Sequence, residues 1–423
     1  MYAAPAVRFP LSDAASSIGF EPPVREGETI VMSNRLHTFS FSPGRRKMTA
    51  DGVDIWLNSK IDGDSGAAWR ISDIDCQLLR HAVLTPADPT NMPMRVTVDA
   101  GHGGVDSGAV SDDGEIEEKS LTLSMALELG EMLRARGFAV NYTRTNDVSL
   151  SRPDRVRSAN DFKSDLFVSL HCNKAPNIEA NGVECYVLPA CGFPGTAEGS
   201  RVHAWQPGNR SDVENMMAAY EIQKALVTNG TFRVDRGVRR QAFHVLRAAQ
   251  CPAVLVEVGF MSHARELRKL NTPEWRTVQM RAVADGVSAY ARRVCAWGRI
   301  NAERMARLEA EEKARIASEE RAAKEAEARA RQEKLEEQKR REALAELERL
   351  EREERKLAKD AESANQRAQK LELELLKKTL TSKRIAEQLA AAEKAASDAD
   401  SDALTPASAF MLDFYGIRGG GGK

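Results

Sequence analysis

Short, almost wholly apolar runs recur through the middle of the chain: Arg95-Val96-Thr97-Val98-Asp99, Phe138-Ala139-Val140-Asn141-Tyr142, Leu166-Phe167-Val168-Ser169-Leu170 and Ala253-Val254-Leu255-Val256. Such runs predict strands covered on both faces. Between the first two, Leu121, Met125, Leu129 and Met132/Leu133 recur at helical spacing, and Gly137 marks the helix end. Strand–helix–strand alternation over residues 94–296 predicts an α/β unit, a mostly parallel twisted sheet flanked by helices. The Gly- and Pro-rich stretch 189–211 reads as a surface insertion, with an amphipathic helix following from about Val213 to Val227.

On either side the pattern changes. In Arg35–Phe41, His37, Phe39 and Phe41 fall on one face, as in a half-buried strand. Asp51-Gly52 between Lys47–Ala50 and Val53–Leu57 predicts a tight hairpin whose two central residues take positive φ. Residues 1–93 are therefore expected to form a small β-rich accessory domain. From Arg299 to Thr405 there is no Gly, Pro or aromatic residue, and Ala, Glu, Lys, Arg and Leu dominate. One long helix is expected over 299–396, about 140 Å at ~1.5 Å per residue. Leu350, Leu357, Ala364 and Leu371, with Ala361, Ala368, Leu375 and Leu389 on an offset seam, predict a coiled coil there. Between Ala302 and Ala330 the seam is mostly Ala, and an isolated charge-laced helix is the alternative. Residues 397–423, ending in Gly419-Gly420-Gly421-Gly422-Lys423, are expected to be a flexible tail.

Composition narrows the function. Among 423 residues, 61 Lys and Arg nearly balance 62 Asp and Glu, so no global field favours nucleic acid or an anionic membrane. No apolar run reaches the ~18 residues of a membrane span. Cys76, Cys172, Cys185, Cys191, Cys251 and Cys295 contain no C-x-x-C pair, which excludes a cysteine zinc ribbon. Residues 1–30 lack a basic segment followed by an apolar stretch, so no secretory signal is visible; Met1–Ala6 reads as the remnant of a lost signal or as a start placed too late.

Three polar residues stand at the C-terminal ends of predicted strands: His102, His171 and Glu257. In a parallel sheet those ends open on one edge, where ligand sites form. Two imidazoles and a carboxylate there have the chemistry of a zinc site with a position left for water. Glu118, which opens the helix after the His102 loop, is within reach as a further ligand. Gly101-His102-Gly103-Gly104 also admits a phosphate-cradling loop, but lacks the Lys-Ser/Thr and the glycine spacing such loops need.

Five blocks occur in order: Val98-Asp99-Ala100-Gly101-His102-Gly103-Gly104, Glu118-Lys119, Thr143-Arg144, Asp165–Asn173 with its Ser169-Leu170-His171-Cys172-Asn173 end, and Val256-Glu257-Val258-Gly259-Phe260-Met261-Ser262. Together they resemble the zinc-dependent N-acetylmuramoyl-L-alanine amidases over essentially all of 94–296. The resemblance implies Zn2+ held by His102, Glu118 and His171, with Glu257 as the catalytic glutamate and peptidoglycan as substrate. It implies cleavage of the amide between the muramic acid lactyl group and L-alanine. Glu117 is the alternative ligand, because Asp112-Asp113-Gly114-Glu115-Ile116 lengthens the link before Glu118. Cys172 and His263 also depart from the family pattern. Arg144, Arg155 and Asn173 are candidates for substrate contact or for structure, and His203 and His244 are expected to be structural. Rival readings are a zinc hydrolase of another peptide-like amide and a non-catalytic wall scaffold. The helix suits a coiled-coil dimer or a tether to a division complex, and a wall substrate implies a periplasmic or envelope location.

Overall fold

The alternating N-terminal pattern is realised as a meander. After β1 (Arg8–Pro10) and α1 (Leu11–Ser17) come β2 (Val24–Glu26), β3 (Thr29–Ser33), β4 (Thr38–Phe41), β5 (Lys47–Ala50) and β6 (Val53–Trp56), then β7 (Arg70–Ser72) and α2 (Asp73–Ala82). The computed structural model describes residues 7–63, 69–88, 94–197, 201–232, 234–362 and 367–401, so Met1–Ala6 lies outside the described residues. The β5–β6 turn is the expected tight hairpin, with Asp51 at φ 49° and Gly52 at φ 84°. Ile30, Met32, Phe39, Phe41, Met48, Val53 and Ile55 bury one face of this meander.

The apolar runs of the middle segment become β8 (Arg95–Ala100), β9 (Ala139–Tyr142) and β10 (Leu166–Asn173), with α3 (Glu118–Ala135) and α4 (Arg152–Asp161) between them. There follow β11 (Val183–Val187), α5 (Asp212–Asn229), β12 (Asp235–Arg240), α6 (His244–Ala248), β13 (Ala253–Phe260) and α7 (Ala264–Leu270). Strands β9, β8, β10 and β13 are parallel neighbours, as the strand–helix alternation predicts. Strand β11 pairs antiparallel with β13. The link 174–182 before β11 is too short for a helical crossover back to the starting edge of the sheet. The result is a mixed sheet flanked by helices.

One sheet of eleven strands contains both segments, in the order β2-β3-β4-β5-β6-β12-β11-β13-β10-β8-β9. The β-rich N-terminal region is therefore present and continues the α/β sheet. The junction is the parallel pair β6–β12 at Ile55 and Val238. Asp54 N donates to Asp235 Oδ2 at 2.8 Å, and Arg240 Nε donates to the Trp56 carbonyl at 2.8 Å. Gly237, at φ 87°, permits this approach, since a Cβ there would lie 2.6 Å from the Asp54 carbonyl oxygen. Among its described residues, the stretch 189–211 exposes Arg201, His203, Ala204, Trp205, Pro207 and Arg210, yet it is anchored at several points. Ala190, Val202, Asn209 and Ser211 are buried, and Arg46 donates to the carbonyls of Pro194 and Gly195 at 2.9 and 2.8 Å.

Helix α8 (Pro273–Glu362) starts well before the expected position, because Met280, Val283, Ala284, Val287, Tyr290 and Ala291 pack into the core and extend the helical register upstream. The chain divides into two units within this helix, Met1–Arg307 and Leu308–Lys423. In the second unit, residues 308–342 are exposed throughout and laced by Glu-to-Arg pairs at i,i+4, such as Glu327–Arg331 and Glu337–Arg341. Helix α9 (Arg367–Ser401) turns back against α8 instead of prolonging it: Arg384 lies 3.9 Å from Glu346, a separation far below that along one continuous helix. Ala343, Leu347, Leu350 and Glu354 are half-buried there, as are Lys377, Thr381 and Ile385. Leu375 and Leu389 of the expected seam are exposed at 71% and 55%. Ala364, and the side chains of Leu357, Ala361, Ala368 and Leu371, lie outside the described residues, as does the tail beyond Ser401.

Replacing Gly237 by Ala should strain the β6–β12 junction by about 1–3 kcal/mol. A thermal melt is expected to show a midpoint at least about 2 °C lower; an unchanged midpoint would mean the two strands part without cost.

Candidate metal centre

The loop after β8 holds its histidine in a conformation that L-residues seldom adopt. His102 has φ 59°, in the left-handed region, a strain of about 1–3 kcal/mol that surrounding contacts must offset. Two arginines supply those contacts. Arg155 Nη2 donates to the His102 carbonyl at 2.6 Å and its Nη1 to the Ala100 carbonyl at 2.6 Å. Arg144 donates to the carbonyls of Ala100 and Gly101 at 3.0 and 2.9 Å, and Thr122 Oγ1 also donates to Gly101 at 2.7 Å. Arg155 is fixed in turn by Asp99, with Nη1 to Oδ1 at 2.7 Å and both side chains buried. Burial alone would raise the Asp99 carboxyl, but Arg155, Thr143 and Ser169 together hold it below its ordinary value. Arg144 and Arg155 thus build the loop.

Glu118, the first residue of α3, places its buried carboxylate between two imidazoles. Its Oε2 lies 3.1 Å from His102 Nε2, and its Oε1 lies 3.0 Å from His171 Nδ1. Backbone amides complete the shell: Ala109 N donates to Oε2 at 2.8 Å and Cys172 N to Oε1 at 2.9 Å. Burial would raise the carboxyl pKa, yet the two histidines hold it well below the usual carboxylate range. At His102, burial works against protonation, but Glu118 and Asp106 outweigh it and raise the pKa. Asp106 Oδ1 lies 2.9 Å from His102 Nδ1, on the opposite side of the ring from Nε2, which faces Glu118. Gly101 makes room for the second imidazole, because a Cβ there would fall 2.5 Å from His171 Cε1.

One ligand atom from each of His102, Glu118 and His171 lies within 4.8 Å of the others. Among the described residues this is the group of three His, Cys, Asp or Glu side chains so gathered. Two nitrogens and one carboxylate oxygen gathered in this way are a donor set that could hold a metal ion. Glu117 stands outside the cluster; its carboxylate lies 3.3 Å from Lys119 Nζ. His203 and His244 are likewise outside it.

Glu257 stands beside the cluster on the neighbouring strand, in register with His171 across β10–β13. Its Oε2 is buried without a hydrogen-bond partner. Burial, with added repulsion from Glu118 and Glu184, pushes its carboxyl well above the ordinary value. On the far side Glu257 is in register with Glu184 of β11, whose Oε1 accepts from Asn173 Nδ2 at 2.6 Å and Tyr186 OH at 2.8 Å. Glu184 carried no signal in the sequence, because Glu257 and Asn173 are brought to it only by strand pairing.

The family profile described as N-acetylmuramoyl-L-alanine amidase matches residues 96–289. A protein of Bacillus subtilis described as uncharacterized is 32% identical over 195 residues, 46% of this chain and 84% of its own length. The chain belongs to the N-acetylmuramoyl-L-alanine amidase family. The sporulation-specific N-acetylmuramoyl-L-alanine amidase of B. subtilis is 32% identical over 196 residues, 46% of this chain and 67% of its own. The solved catalytic domain of the amidase CwlV from Paenibacillus polymyxa is 32% identical, covering 47% of this chain and 98% of that one, with a TM-score of 0.39.

Departures from the amidase-family pattern have local structural uses. The longer link before Glu118 is closed by a turn in which Ser111 N donates to the Ile116 carbonyl at 2.9 Å, and Ile116 N to Ser111 Oγ at 2.9 Å. His263 caps α7, its Nδ1 accepting from Glu266 N at 3.3 Å. Cys172 is buried.

Asp99→Asn tests the scaffold of the loop. It leaves the Arg155 guanidinium buried without its anion, at a cost of about 3–5 kcal/mol at neutral pH. Because the folded Asp99 carboxyl is held below its unfolded value, its contribution is present above about pH 4 and lost as pH falls through the lowered value. Thermal melts should show a wide gap between wild type and variant at pH 7 that narrows below pH 4. A gap independent of pH would refute the ion pair's part in holding the loop.

Proposed function

We propose that the chain is a zinc-dependent N-acetylmuramoyl-L-alanine amidase, hydrolysing the amide between the lactyl group of muramic acid and the first L-alanine of the stem peptide. The observation that carries this reading is the convergence of His102, Glu118 and His171 beside an unpartnered buried glutamate, Glu257. His102 and His171 would bind zinc through neutral imidazole nitrogens, and Glu118 through its carboxylate. When bound, zinc supplies a Lewis acid that lowers the pKa of water toward ~7 and polarises the amide carbonyl.

The remaining steps fall to side chains of this chain. Glu257 takes a proton from the attacking water and returns it to the departing L-alanine amine, a shuttle worth ~10²–10⁴-fold. Burial and the neighbouring carboxylates raise its pKa above the ordinary value, which suits a group that must hold a proton as well as accept one. The Asp106 carboxylate stands beside His102 Nδ1, which leaves Nε2 as the atom to ligate the metal. The arginine-braced loop fixes this geometry before substrate arrives.

Acting on peptidoglycan places the protein outside the cytoplasmic membrane, in the cell envelope. Among the described residues no helix is long and apolar enough to cross a membrane. The exposed leucines of α9, Leu375, Leu376, Leu380 and Leu389, suit association with a helical partner, either a second copy or a division-complex protein.

The test uses purified full-length protein with muropeptides, read by mass spectrometry. Free muramoyl sugar and an intact peptide beginning with L-alanine are expected, and a chelator should abolish both. Glu257→Gln should retain zinc and lose at least ~10²-fold in rate. Cleavage elsewhere in the muropeptide, or full turnover by the variant, would refute the proposal.

A further inference from the structure

The row of carboxylates beside the metal cluster ends in excess positive charge. Across β10, β13 and β11, His171, Glu257 and Glu184 are successive register partners and therefore share one face. Two arginines from β12 converge on Glu184: Arg236 Nε and Arg239 Nη1 donate to its Oε2 at 2.8 and 2.9 Å. The Glu184 side chain is 1% exposed, while those of Arg236 and Arg239 are 30% and 21% exposed. One carboxylate thus faces two guanidiniums and leaves a net charge of about +1. Among the described residues, both Nη atoms of Arg236 and Nη2 of Arg239 meet no acceptor, while Arg239 Nε is buried.

The N-terminal strands support this group. Arg239 is in register with Tyr186, on the Glu184 face of the sheet. Its guanidinium lies 5.3 Å from the centre of the Trp56 ring, which ends β6. Arg236 is similarly placed over Phe260, at 4.7 Å. Each cation is flanked by an aromatic surface and fixed by a buried anion, so its free donors are directed before any ligand arrives.

We propose that Arg236 and Arg239 bind a free carboxylate of the stem peptide on the departing side of the scissile amide, with Trp56 from the N-terminal strands completing the subsite. This rests on the peptidoglycan reading given above. Two strand steps of ~4.8 Å separate His171 from Glu184, about 10 Å. Two to three extended residues at ~3.3–3.6 Å each cover that distance, so the carboxylate belongs to the second or third residue of the stem. Paired arginine donors match a carboxylate and reject its amide, which carries no charge and presents donors of its own. The N-terminal segment on this account contributes to substrate selection through Trp56.

Isothermal titration of the zinc-loaded, full-length Glu257→Gln protein tests this without turnover. The ligands are a muramoyl tripeptide with free carboxylates at residues two and three, and its counterparts amidated at one or the other. One amidated form is expected to bind at least ~10-fold more weakly, the loss of a charge-assisted pair. Adding Arg239→Gln should erase that difference while leaving affinity for the amidated ligand unchanged, which a misfolded protein would not do. Arg239→Lys should leave an intermediate preference, and Trp56→Ala should weaken the free-carboxylate ligand. Equal affinities for all ligands, no binding of any at millimolar concentration, or a preference that survives Arg239→Gln would overturn the subsite. Parallel digestion by the wild type separates the two proposals: a binding preference without muramoyl–alanine cleavage removes the amidase reading and keeps the subsite, whereas cleavage without preference does the reverse.

Discussion

A carboxylate buried between two imidazoles is the constraint around which this chain is arranged. Glu118 is 4% exposed, and an unpaired carboxylate at that depth would cost several kcal/mol. It persists because His102, His171 and two backbone amides surround it. To bring His102 there, the backbone adopts a left-handed conformation, and Arg144 and Arg155 hold the loop carbonyls in place. To bring His171 there, β10 must lie beside β8, with Gly101 leaving space for the ring. The same contacts that make the cluster expensive to assemble make its geometry rigid.

The sheet carries this arrangement outward. Register aligns His171 with Glu257 and Glu257 with Glu184, and the β6–β12 junction adds the N-terminal meander to the same sheet. The meander buries its apolar face on the helices, while Trp56 on the other face meets Arg239. A segment expected as an accessory domain is thereby joined to the face that carries the cluster. In the second unit, the exposed charge-laced helix and the fold-back of α9 follow different rules: i,i+4 ion pairs sustain the first, and a short half-buried stripe sustains the second.

Much of the fold could be read from periodicity. The buried runs at Val96–Val98, Leu166–Leu170 and Ala253–Val256 are strands, and the Asp51-Gly52 hairpin has its two positive φ values. Strand ends also led to His102, His171 and Glu257, although β10 and β13 run on to Asn173 and Phe260, so that His171 and Glu257 lie within their strands, toward the C-terminal end. Three things were hidden. The upstream start of α8 depends on packing against the core, where Gly286 and Gly298 lie within the helix. The return of α9 depends on contact between residues some distance apart in sequence, which heptad counting treats as one continuous seam. The roles of Arg144, Arg155 and Glu184 depend on partners brought together by register and loop closure, and no local spacing encodes them.

The most direct test of the central claim is the zinc content of the purified protein and its variants after exhaustive dialysis, by elemental mass spectrometry. About one zinc per chain is expected for the wild type and for Glu117→Gln, and essentially none for His102→Ala, Glu118→Gln or His171→Ala with each variant still folded by circular dichroism. Full zinc occupancy in folded Glu118→Gln, or its loss in Glu117→Gln alone, would contradict the account.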